Sequence, residues 1–261
     1  MPGEFAGKIV VVTGGSRGIG RGIATAFARE GAQTVIASSS ADNLAAAAKS
    51  IAAVGPEPLT VAGDLRELAE CEQLYARVRE RFDRCDILIN NAGRTRAGNF
   101  LDLPDDAFFD GFALKYHAAM RLTRLFWPML KAVQGHVVNI VGGAARSPEP
   151  EFTIGSSVNA ALANASKGLS KLGMRDGVNV NVIHPGNTRT ERSEELLAQR
   201  AQAAGKTPEE LRAQALARSG IRRVGEVEDV AALALFLCSE RARHIQGTAI
   251  AVDGGATVGY Y

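Results

Sequence analysis

The sequence predicts an α/β protein with a doubly wound, seven-stranded parallel sheet and helices on both faces. Two observations support this fold class. Short runs of β-branched residues alternate along the chain with longer stretches of helical period. The first strand ends at a glycine-rich turn that opens an amphipathic helix. Strands that alternate with helices form parallel sheets, because each crossover helix returns the chain to the same end of the sheet.

Turn residues bound the predicted elements. The first strand, 8–13, ends at Gly14, and the helix after it ends at Gly31, a residue type that commonly terminates helices. The predicted strands are 8–13, 33–37, 58–62, 86–90, 136–141, 178–183 and 247–252. The later predicted helices are 41–54, 66–82, 105–131, 155–173 and 226–239. This order indicates one Rossmann-like domain over residues 1–261.

One segment, 187–220, departs from the alternation. It is rich in Glu, Arg, Ala and Gln, and Gly205 and Pro208 interrupt it, so it predicts one or two surface helices. An insertion after the carboxyl end of a strand lies over the ligand crevice of such a sheet. We therefore expect a substrate lid, and the alternative is a solvated decoration with no role.

Composition excludes several classes of function. With 30 Lys and Arg against 28 Asp and Glu, the chain has no electrostatic footprint for nucleic acid. The longest apolar run, 230–238, is far shorter than the ~20 residues of a membrane span, and 1–8 does not resemble a signal peptide. Three widely spaced cysteines predict buried thiols rather than disulfides or a metal site. We expect a cytoplasmic protein without a nucleic-acid or membrane partner.

The glycine-rich turn is suited to binding a phosphate. Glycines allow a tight turn and a close backbone approach, and the helix that follows presents the positive end of its dipole. Four further short motifs follow strands in the chain. In order, the five motifs are Thr13-Gly14-Gly15-Ser16-Arg17-Gly18-Ile19-Gly20, Gly63-Asp64-Leu65, Asn90-Asn91-Ala92-Gly93, Pro185-Gly186-Asn187-Thr188-Arg189-Thr190 and Val252-Asp253-Gly254-Gly255.

With these motifs in this order, the chain resembles the short-chain dehydrogenase/reductase family from end to end. The resemblance implies a nicotinamide dinucleotide cofactor. It implies glycines at the pyrophosphate, Asp64 and Leu65 at the adenine, and Thr188 and Thr190 at the nicotinamide carboxamide and phosphates. The positions expected at the cofactor are Gly14, Ser16, Arg17, Gly18, Ile19, Gly20, Ser38, Ser39, Asp64, Leu65, Asn91, Ala92, Gly93, Asn159, Pro185, Gly186, Thr188 and Thr190.

The end of the second strand favours NADP(H) over NAD(H). An acidic side chain there would accept hydrogen bonds from the ribose 2′-hydroxyl and repel a 2′-phosphate. Here the chain has Ser38, Ser39 and Ser40, with no acid before Asp42. Arg17 in the glycine-rich turn adds a positive charge of the kind found in NADP-preferring members. The alternative for Arg17 is an ordinary exposed arginine at a helix start.

The catalytic positions depart from the family pattern. Members use a tyrosine as general acid, a lysine four residues later, a serine thirteen residues before the tyrosine, and an asparagine on the preceding long helix. Their tyrosine lies about thirty residues before the Pro-Gly of the sixth strand. In this chain the corresponding residues are Gly155, Asn159, Gly142 and Ala113, in that order.

A different register does not restore the tyrosine. Ser166-Lys167 resembles the Ser-Lys after the family's tyrosine, but this register places Ala163 at the tyrosine position and leaves too short a helix before the sixth strand. No tyrosine lies between positions 117 and 259. The chain therefore resembles a divergent branch with Gly-x-x-x-Asn in place of Tyr-x-x-x-Lys.

This replacement separates cofactor binding from proton transfer. An asparagine amide can keep hydrogen bonds to sugar hydroxyls but brings no charge, and the lost phenol leaves no proton donor. We expect Asn159 to face the nicotinamide ribose and Gly155 to border an open cavity. His184 is the candidate for an alternative donor, although a histidine before proline is more often a packed loop residue. Other candidates are Ser147, Glu149, Ser156 and Ser157.

Arginines follow three successive strands at the expected ligand edge of the sheet. They suit a carboxylate or phosphate on the substrate, and the alternative is that they are ordinary solvated arginines. These residues are Arg94, Arg96, Arg146, Arg189 and Arg192.

Two functions remain open from the sequence. The first is an NAD(P)-dependent oxidoreductase that acts on a carbonyl or alcohol with a degenerate tetrad, and the second is a catalytically silent nucleotide-binding or regulatory protein. We also expect a homodimer or homotetramer, because helices 105–131 and 155–173 carry apolar residues beyond one stripe and family members pair through them. The aromatic residues behind this expectation are Phe108, Phe109, Phe112, Phe126 and Trp127.

Overall fold

A seven-stranded parallel sheet forms the centre of the computed structural model, which describes residues 3–257. The strands are β1 Ile9–Thr13, β2 Gln33–Ser38, β3 Leu59–Ala62, β4 Ile87–Asn90, β5 His136–Ile140, β6 Asn179–Pro185 and β7 Ala249–Val252. Their order in the sheet is β3-β2-β1-β4-β5-β6-β7. Strands β1 to β3 are added toward one edge of the sheet and β4 to β7 toward the other. The crevice at the carboxyl ends of β1 and β4, where this order reverses, is therefore the expected ligand site. The predicted fold class is confirmed.

Helices cover both faces of the sheet. They are α1 Gly18–Arg29, α2 Ala41–Ala52, α3 Leu68–Phe82, α4 Asp105–Phe112, α5 Ala118–Ala132, α6 Thr153–Asp176, α7 Glu191–Ala204, α8 Pro208–Ser219 and α9 Val227–Leu237. The core on one face joins α1, α2 and α9 to the sheet, and the core on the other face joins α3 and α5 to it.

The central strands are buried on both sides. In β1, Val10 and Val12 pack against α1 and α9, whereas Val11 packs in the opposite core with α3 and α5. This double burial explains why the strand is a continuous apolar run rather than an alternating pattern.

The long helix predicted over 105–131 is present, but it is not α-helical throughout. It is divided into α4 and α5 by one turn of π-helix at Ala113–His117. A π-turn accommodates an extra residue and changes the direction of nearby side chains, and such turns are frequent at functional sites. The turn contains neither glycine nor proline, so local sequence did not mark it.

The insertion 187–220 forms two helices, α7 and α8. Threonine caps the start of each, with Thr190 accepting from the Ser193 backbone N–H and Thr207 from that of Glu210. Both helices end at left-handed glycines, Gly205 and Gly220, with φ of 62° and 67°. The start of α7 lies against the glycine-rich turn, since a Cβ on Gly18 would come 3.2 Å from Thr190 Cγ2. The lid role of this segment stays a prediction.

The three cysteines are buried free thiols, and burial raises the pKa of each. Among residues 3–257, no helix combines the length and apolar character needed to cross a membrane.

Candidate active site

The turn between β1 and α1 forms a cradle that is closed to side chains. Gly14 has a φ of +64°, and a Cβ on it would lie 2.8 Å from Asn91 Nδ2. A Cβ on Gly20 would overlap the carbonyl oxygen of Gly14. Only glycine fits both positions, so the backbone is open to a ligand of the kind that binds helix N-termini.

A carboxylate already lies at this cradle. Glu191, the first residue of α7, accepts a hydrogen bond from the Gly18 backbone N–H at 3.3 Å and pairs with Arg21. Burial raises the pKa of Glu191. Hydrogen bonds from its own backbone N–H and from that of Gly18, together with the charge of Arg21, outweigh burial, so the pKa lies below its ordinary value. An anion therefore suits this position, and the residues fit a pyrophosphate.

Asn91 holds the cradle in place. Its Nδ2 donates to the carbonyl oxygens of Thr13 and Gly14 at 3.0 and 3.2 Å. The backbone N–H groups of Asn91 and Ala92 donate to Thr13 Oγ1 at 3.0 Å each. The amide nitrogen of Asn91 thus has protein partners, and the sequence analysis missed the role of Thr13 in joining β1 to the end of β4.

A buried polar network connects the sheet to α6. Asn90 Nδ2 donates to Asn139 Oδ1 at 2.8 Å and to Thr123 Oγ1 at 3.1 Å, and Asn139 Nδ2 donates to Ser166 Oγ at 2.7 Å. These bonds fix the positions of β4, β5 and α6 relative to one another. The signal available in the sequence was Asn139, a polar residue between Val138 and Ile140.

The carboxyl end of β2 carries hydroxyl groups and no acid. Ser16 donates to Ser38 Oγ at 2.9 Å, which ties the glycine-rich turn to β2. Ser40 caps α2 by accepting from the Asn43 backbone N–H, while Ser39 is exposed. Arg17 is exposed, and no side chain in the described part of the chain forms an ion pair with it.

At the expected adenine position, the two motif residues differ in their surroundings. The Asp64 carboxylate binds Arg66 Nε at 2.9 and 3.0 Å, and this hydrogen bonding lowers the pKa of Asp64 despite partial burial. The Leu65 side chain is buried in the core. Any contact of Leu65 with a nucleotide would therefore involve its backbone.

Two of the four tetrad positions lie side by side. Asn159 is only 3% exposed, and its Oδ1 accepts from the Gly142 backbone N–H at 3.0 Å. A Cβ on Gly142 would come 3.0 Å from Asn159 Nδ2. Ala113 begins the π-turn. Asn159 does not point into the apolar core, because it lines the small cavity described below.

The expected open space at Gly155 is absent, and that prediction is wrong. A Cβ on Gly155 would overlap ring carbons of Phe152, which precedes α6. The phenyl ring therefore fills the space in which a tyrosine side chain at position 155 would start. Sequence reasoning missed Phe152 because its ring folds back over a residue three positions later.

His184 is a neutral, buried imidazole. It is 1% exposed, and its Nδ1 donates to the carbonyl oxygens of Val141 at 2.8 Å and Gly142 at 3.3 Å. Burial, with the charge of Arg146, lowers the pKa of His184. An imidazole whose single proton binds main-chain carbonyls is poorly placed to supply a proton, so the geometry disfavours it as the donor.

A cavity of about 260 Å³ lies next to the cradle. It includes four predicted residues and three that sequence reasoning missed. The lining residues are Gly93, Arg94, Thr95, Lys115, Phe152, Asn159 and Arg192. Gly93 is two residues after Asn91, whose side chain binds the glycine-rich turn, and Arg192 is next to Glu191, which accepts from Gly18 N–H. Both residues therefore place this cavity beside the glycine-rich turn.

The five arginines do not converge as a group. Arg94 and Arg192 line the cavity, whereas Arg189 pairs with Glu226 at 3.3 Å. Arg146 donates to the Ala249 carbonyl oxygen at 3.0 Å and lines a separate cavity of about 460 Å³. Arg96 is exposed and belongs to neither lining.

The segment after β6 is held close to the cradle. Thr188 donates to the Gly186 carbonyl oxygen at 3.1 Å, and a Cβ on Gly186 would lie 2.5 Å from Asp253 Cβ. Pro185 ends β6. Glycine at position 186 thus lets the turn after β7 pack against this segment.

Comparison with known sequences decides the family. The model of a short-chain dehydrogenase/reductase family described as enoyl-(acyl carrier protein) reductase matches residues 14–257. The chain belongs to the short-chain dehydrogenase/reductase family of oxidoreductases. It is 31% identical to oxidoreductase UcpA of Salmonella typhimurium, over 98% of this chain and 97% of that protein. It is 34% identical to L-fucose dehydrogenase of Bos taurus, over 100% of this chain and 93% of that one.

Solved structures agree with this assignment. L-sorbose reductase of Gluconobacter frateurii, crystallised with NADPH and L-sorbose, matches with a TM-score of 0.95 and 31% identity over the whole of both chains. A 7α-hydroxysteroid dehydrogenase crystallised with NADH matches with a TM-score of 0.88 and 28% identity, over 97% of this chain and 95% of that one.

Proposed function

We propose that this protein transfers a hydride between NADP(H) and the carbonyl or alcohol carbon of a small anionic substrate, in a site without the usual tetrad. One juxtaposition carries the proposal. A glycine cradle closed to side chains adjoins a cavity that holds Asn159 and three cationic side chains. A bound cofactor would supply or accept the hydride, and the chain would bind and orient both reactants.

The preference for NADP(H) is supported by the charge at the end of β2. The 2′-phosphate of NADP would meet hydroxyl groups and the exposed guanidinium of Arg17, with no acid at Ser38 or Ser39 to repel it. Solved relatives have been crystallised with NADPH or with NADH. The preference therefore depends on this chain's own residues.

An anionic substrate is supported by the charges of the cavity. Arg94, Lys115 and Arg192 line it, and among residues 3–257 no Asp or Glu does. Three cations without a carboxylate repel one another, and an anion relieves that repulsion. Arginine in particular binds carboxylate or phosphate with two parallel hydrogen bonds.

The residues at the tetrad positions support cofactor binding by α6 without proton transfer. Asn159 keeps Nδ2 available for a sugar hydroxyl while its Oδ1 binds Gly142. Neither Gly155 nor Gly142 has a side chain that could move a proton. The cradle and Asn159 thus support cofactor binding, and in this proposal the proton comes from another group.

The test begins with calorimetric titration of NADPH and NADH against the purified protein. Matched 2-keto acids and 2-keto amides then report the substrate class, because each pair differs mainly in charge. We expect at least tenfold higher kcat/KM for the acids, and Arg192→Gln should narrow this difference while Arg200→Gln on the same helix does not. Equal kcat/KM for acids and amides would reject the anionic class. A wild-type protein that binds neither nucleotide would reject the function.

A second function, a silent nucleotide-binding or regulatory protein, is supported by one observation. The Phe152 ring packs over Gly155, so a group without any hydroxyl occupies the start of the phenol's place. In that case the protein binds NADPH, but NADPH deuterated at C4 keeps its deuterium through long incubation with a panel of 2-keto acids, 2-keto amides and other carbonyl compounds. Transfer of deuterium to any member of the panel would decide for the oxidoreductase.

A further inference from the structure

Lys115 is a cation that the sequence analysis did not single out. It lies in the π-turn Ala113–His117, between α4 and α5. Its aliphatic stem crosses Gly93 so closely that a Cβ on that glycine would lie 2.8 Å from Lys115 Cδ. The missing side chain at Gly93 and the extra residue of the π-turn together provide space for this lysine in the cavity.

The surroundings of Lys115 lower the stability of its charge. Burial alone lowers its pKa to about 8, and no described side chain forms an ion pair with it. The titratable groups around it are Arg94 on the loop after β4, Arg192 on α7 and His184 on β6, and none is acidic. Its own turn adds Tyr116 and the exposed His117.

We propose that the Lys115 ammonium is the proton donor of this site and replaces the absent phenol from a different element of the fold. This inference rests on the proposed function. In the reducing direction, the hydride of NADPH goes to the carbonyl carbon, and a proton on Lys115 Nζ goes to the carbonyl oxygen. The products are an alcohol, NADP⁺ and a neutral amine, which takes a proton back from water.

The position of Lys115 relative to the other cavity residues supports this role. Asn159 lines the same cavity at the place where family members have their lysine, so a cationic group remains near that place although position 159 is uncharged. Phe152 contributes a phenyl ring to the same lining. A general acid works best when its pKa is close to the working pH, and an amine in a cation-lined cavity can satisfy this condition.

Two simpler roles must be separated from this one. Lys115 could support the fold through its stem, or it could bind a substrate anion through its charge. Lys115→Met keeps much of the stem and removes the proton. Lys115→Arg keeps the charge, but its guanidinium does not release a proton at neutral pH. Lys171→Met on the exposed side of α6 is the matched control.

The first measurement does not depend on activity. In protein labelled with ¹³C at lysine Cε, the Lys115 signal is identified by its loss in Lys115→Met, and its chemical shift is followed against pH without cofactor. We expect a midpoint near pH 8, against ~10.4 for an ordinary lysine. Saturating NADPH should then shift this signal, and the Lys171 signal should not move. A midpoint above 10, or no response to bound NADPH, would overturn the role.

The second measurement separates proton transfer from binding. Lys115→Met should reduce kcat for the best carbonyl substrate by about 10²–10⁴-fold, the range of general acid catalysis, with the Kd of NADPH changed less than threefold. Lys115→Arg should show the same loss of kcat but a KM close to wild type, and ethylamine should partly rescue Lys115→Ala. The wild-type reduction rate should fall above about pH 8 as the ammonium loses its proton.

The outcomes distinguish the two proposals. A wild-type kcat retained in folded Lys115→Met would overturn the role of Lys115 and leave the proposed function intact. Failure of the wild-type protein to bind NADPH would overturn both. Circular dichroism and thermal unfolding of each variant show whether a loss of activity reflects a loss of fold.

Discussion

Arg17 is the residue on which the proposed cofactor preference depends most directly. We expect Arg17→Ala to weaken NADPH binding about tenfold, a loss of ~1.4 kcal/mol, and to leave NADH binding unchanged, because only NADPH has a 2′-phosphate for the guanidinium. Calorimetry of both nucleotides checks this, with Arg29→Ala at the other end of α1 as the control. Equal affinity of the wild-type protein for NADH and NADPH would show that the interpretation of the β2 end is wrong.

Phe152 and Gly155 determine whether the family's tetrad can be rebuilt. Because a Cβ at position 155 overlaps the Phe152 ring, we expect Gly155→Tyr alone to reduce the free energy of unfolding by roughly 1–3 kcal/mol, as overpacking does. Phe152→Ala together with Gly155→Tyr should recover most of this loss. Urea unfolding of the two single variants and the double variant measures the coupling, and additive effects would contradict the described packing.

The rebuilt site gives a functional result as well. Because the proposed donor Lys115 already supplies a proton, we expect the set Gly142→Ser, Gly155→Tyr, Asn159→Lys and Ala113→Asn, with Phe152→Ala present, to reduce an activated ketone no faster than the parent. A rebuilt variant at least tenfold faster, a change of ~1.4 kcal/mol in barrier, would indicate a parent limited by its lack of a phenol. That result would contradict the role of Lys115.

At the residue scale, the sequence could predict cofactor positions because their motifs are contiguous. The glycines of the cradle depend on local backbone geometry, which a short motif records. Phe152 and Lys115 were missed for the opposite reason. Their importance comes from contacts with two glycines. The Phe152 ring occupies the space beside Gly155, and the Lys115 stem occupies the space beside Gly93.

Among the elements, α7 has the clearest expected effect on binding. Its first residue, Glu191, lies at the Gly18 N–H and pairs with Arg21, so its carboxylate competes with a pyrophosphate. We expect Glu191→Gln to tighten NADPH binding about two- to fivefold, or ~0.4–1 kcal/mol, the usual range for a charge at a helix N-terminus. Glu194→Gln, which breaks a pair with Arg212 on α8, is the matched control.

The salt dependence of this effect adds a second readout. Exposed charges are screened, so the gain from Glu191→Gln should shrink as the ionic strength rises from 0.01 to 1 M. An unchanged or weaker affinity in the variant would mean that Glu191 moves away from the cradle before the nucleotide binds.

The division of the helix over 105–131 shows the limit of pattern analysis at the element scale. Apolar periodicity predicts helix throughout, and each residue of Ala113–His117 is compatible with one. The π-turn packs against α6, and its Lys115 lies over Gly93 in the loop after β4, so the contacts around the turn come from segments distant in the sequence. A one-residue insertion of this kind leaves no turn signal in the sequence.

For the whole molecule, the exposed apolar side chains support the expected homo-oligomer. Phe109 on α4 is 71% exposed and Met174 on α6 is 74% exposed. Phe126 is fully buried and Trp127 Nε1 donates to Asp176 Oδ2 at 2.9 Å, so these two aromatics stabilise the subunit itself. The expectation of an exposed Phe126 was wrong because it lies on the inner face of α5.

The oligomer is tested by sedimentation velocity. We expect a dimer or tetramer at micromolar concentration, and Phe109→Asp should shift it toward the monomer by placing a charge in an apolar contact. Asp106→Asn on the same helix is the control. A wild-type monomer throughout this concentration range would reject the prediction.

The fold of the whole chain was predictable because it depends on repeated and redundant signals. Seven apolar strands separated by helices leave few parallel arrangements, and the right-handed crossover rule removes most of these. The buried network of Asn90, Asn139 and Ser166 was not predictable, since it joins three distant segments through single side chains.

The packing of Phe152 over Gly155 also has a consequence for descent. A tyrosine can return to position 155 only if the Phe152 ring moves, since the ring occupies the place of the new Cβ. The expected cost of overpacking makes a single Gly155→Tyr step unfavourable. A packing contact that has no part in the chemistry therefore helps to preserve the loss of the phenol.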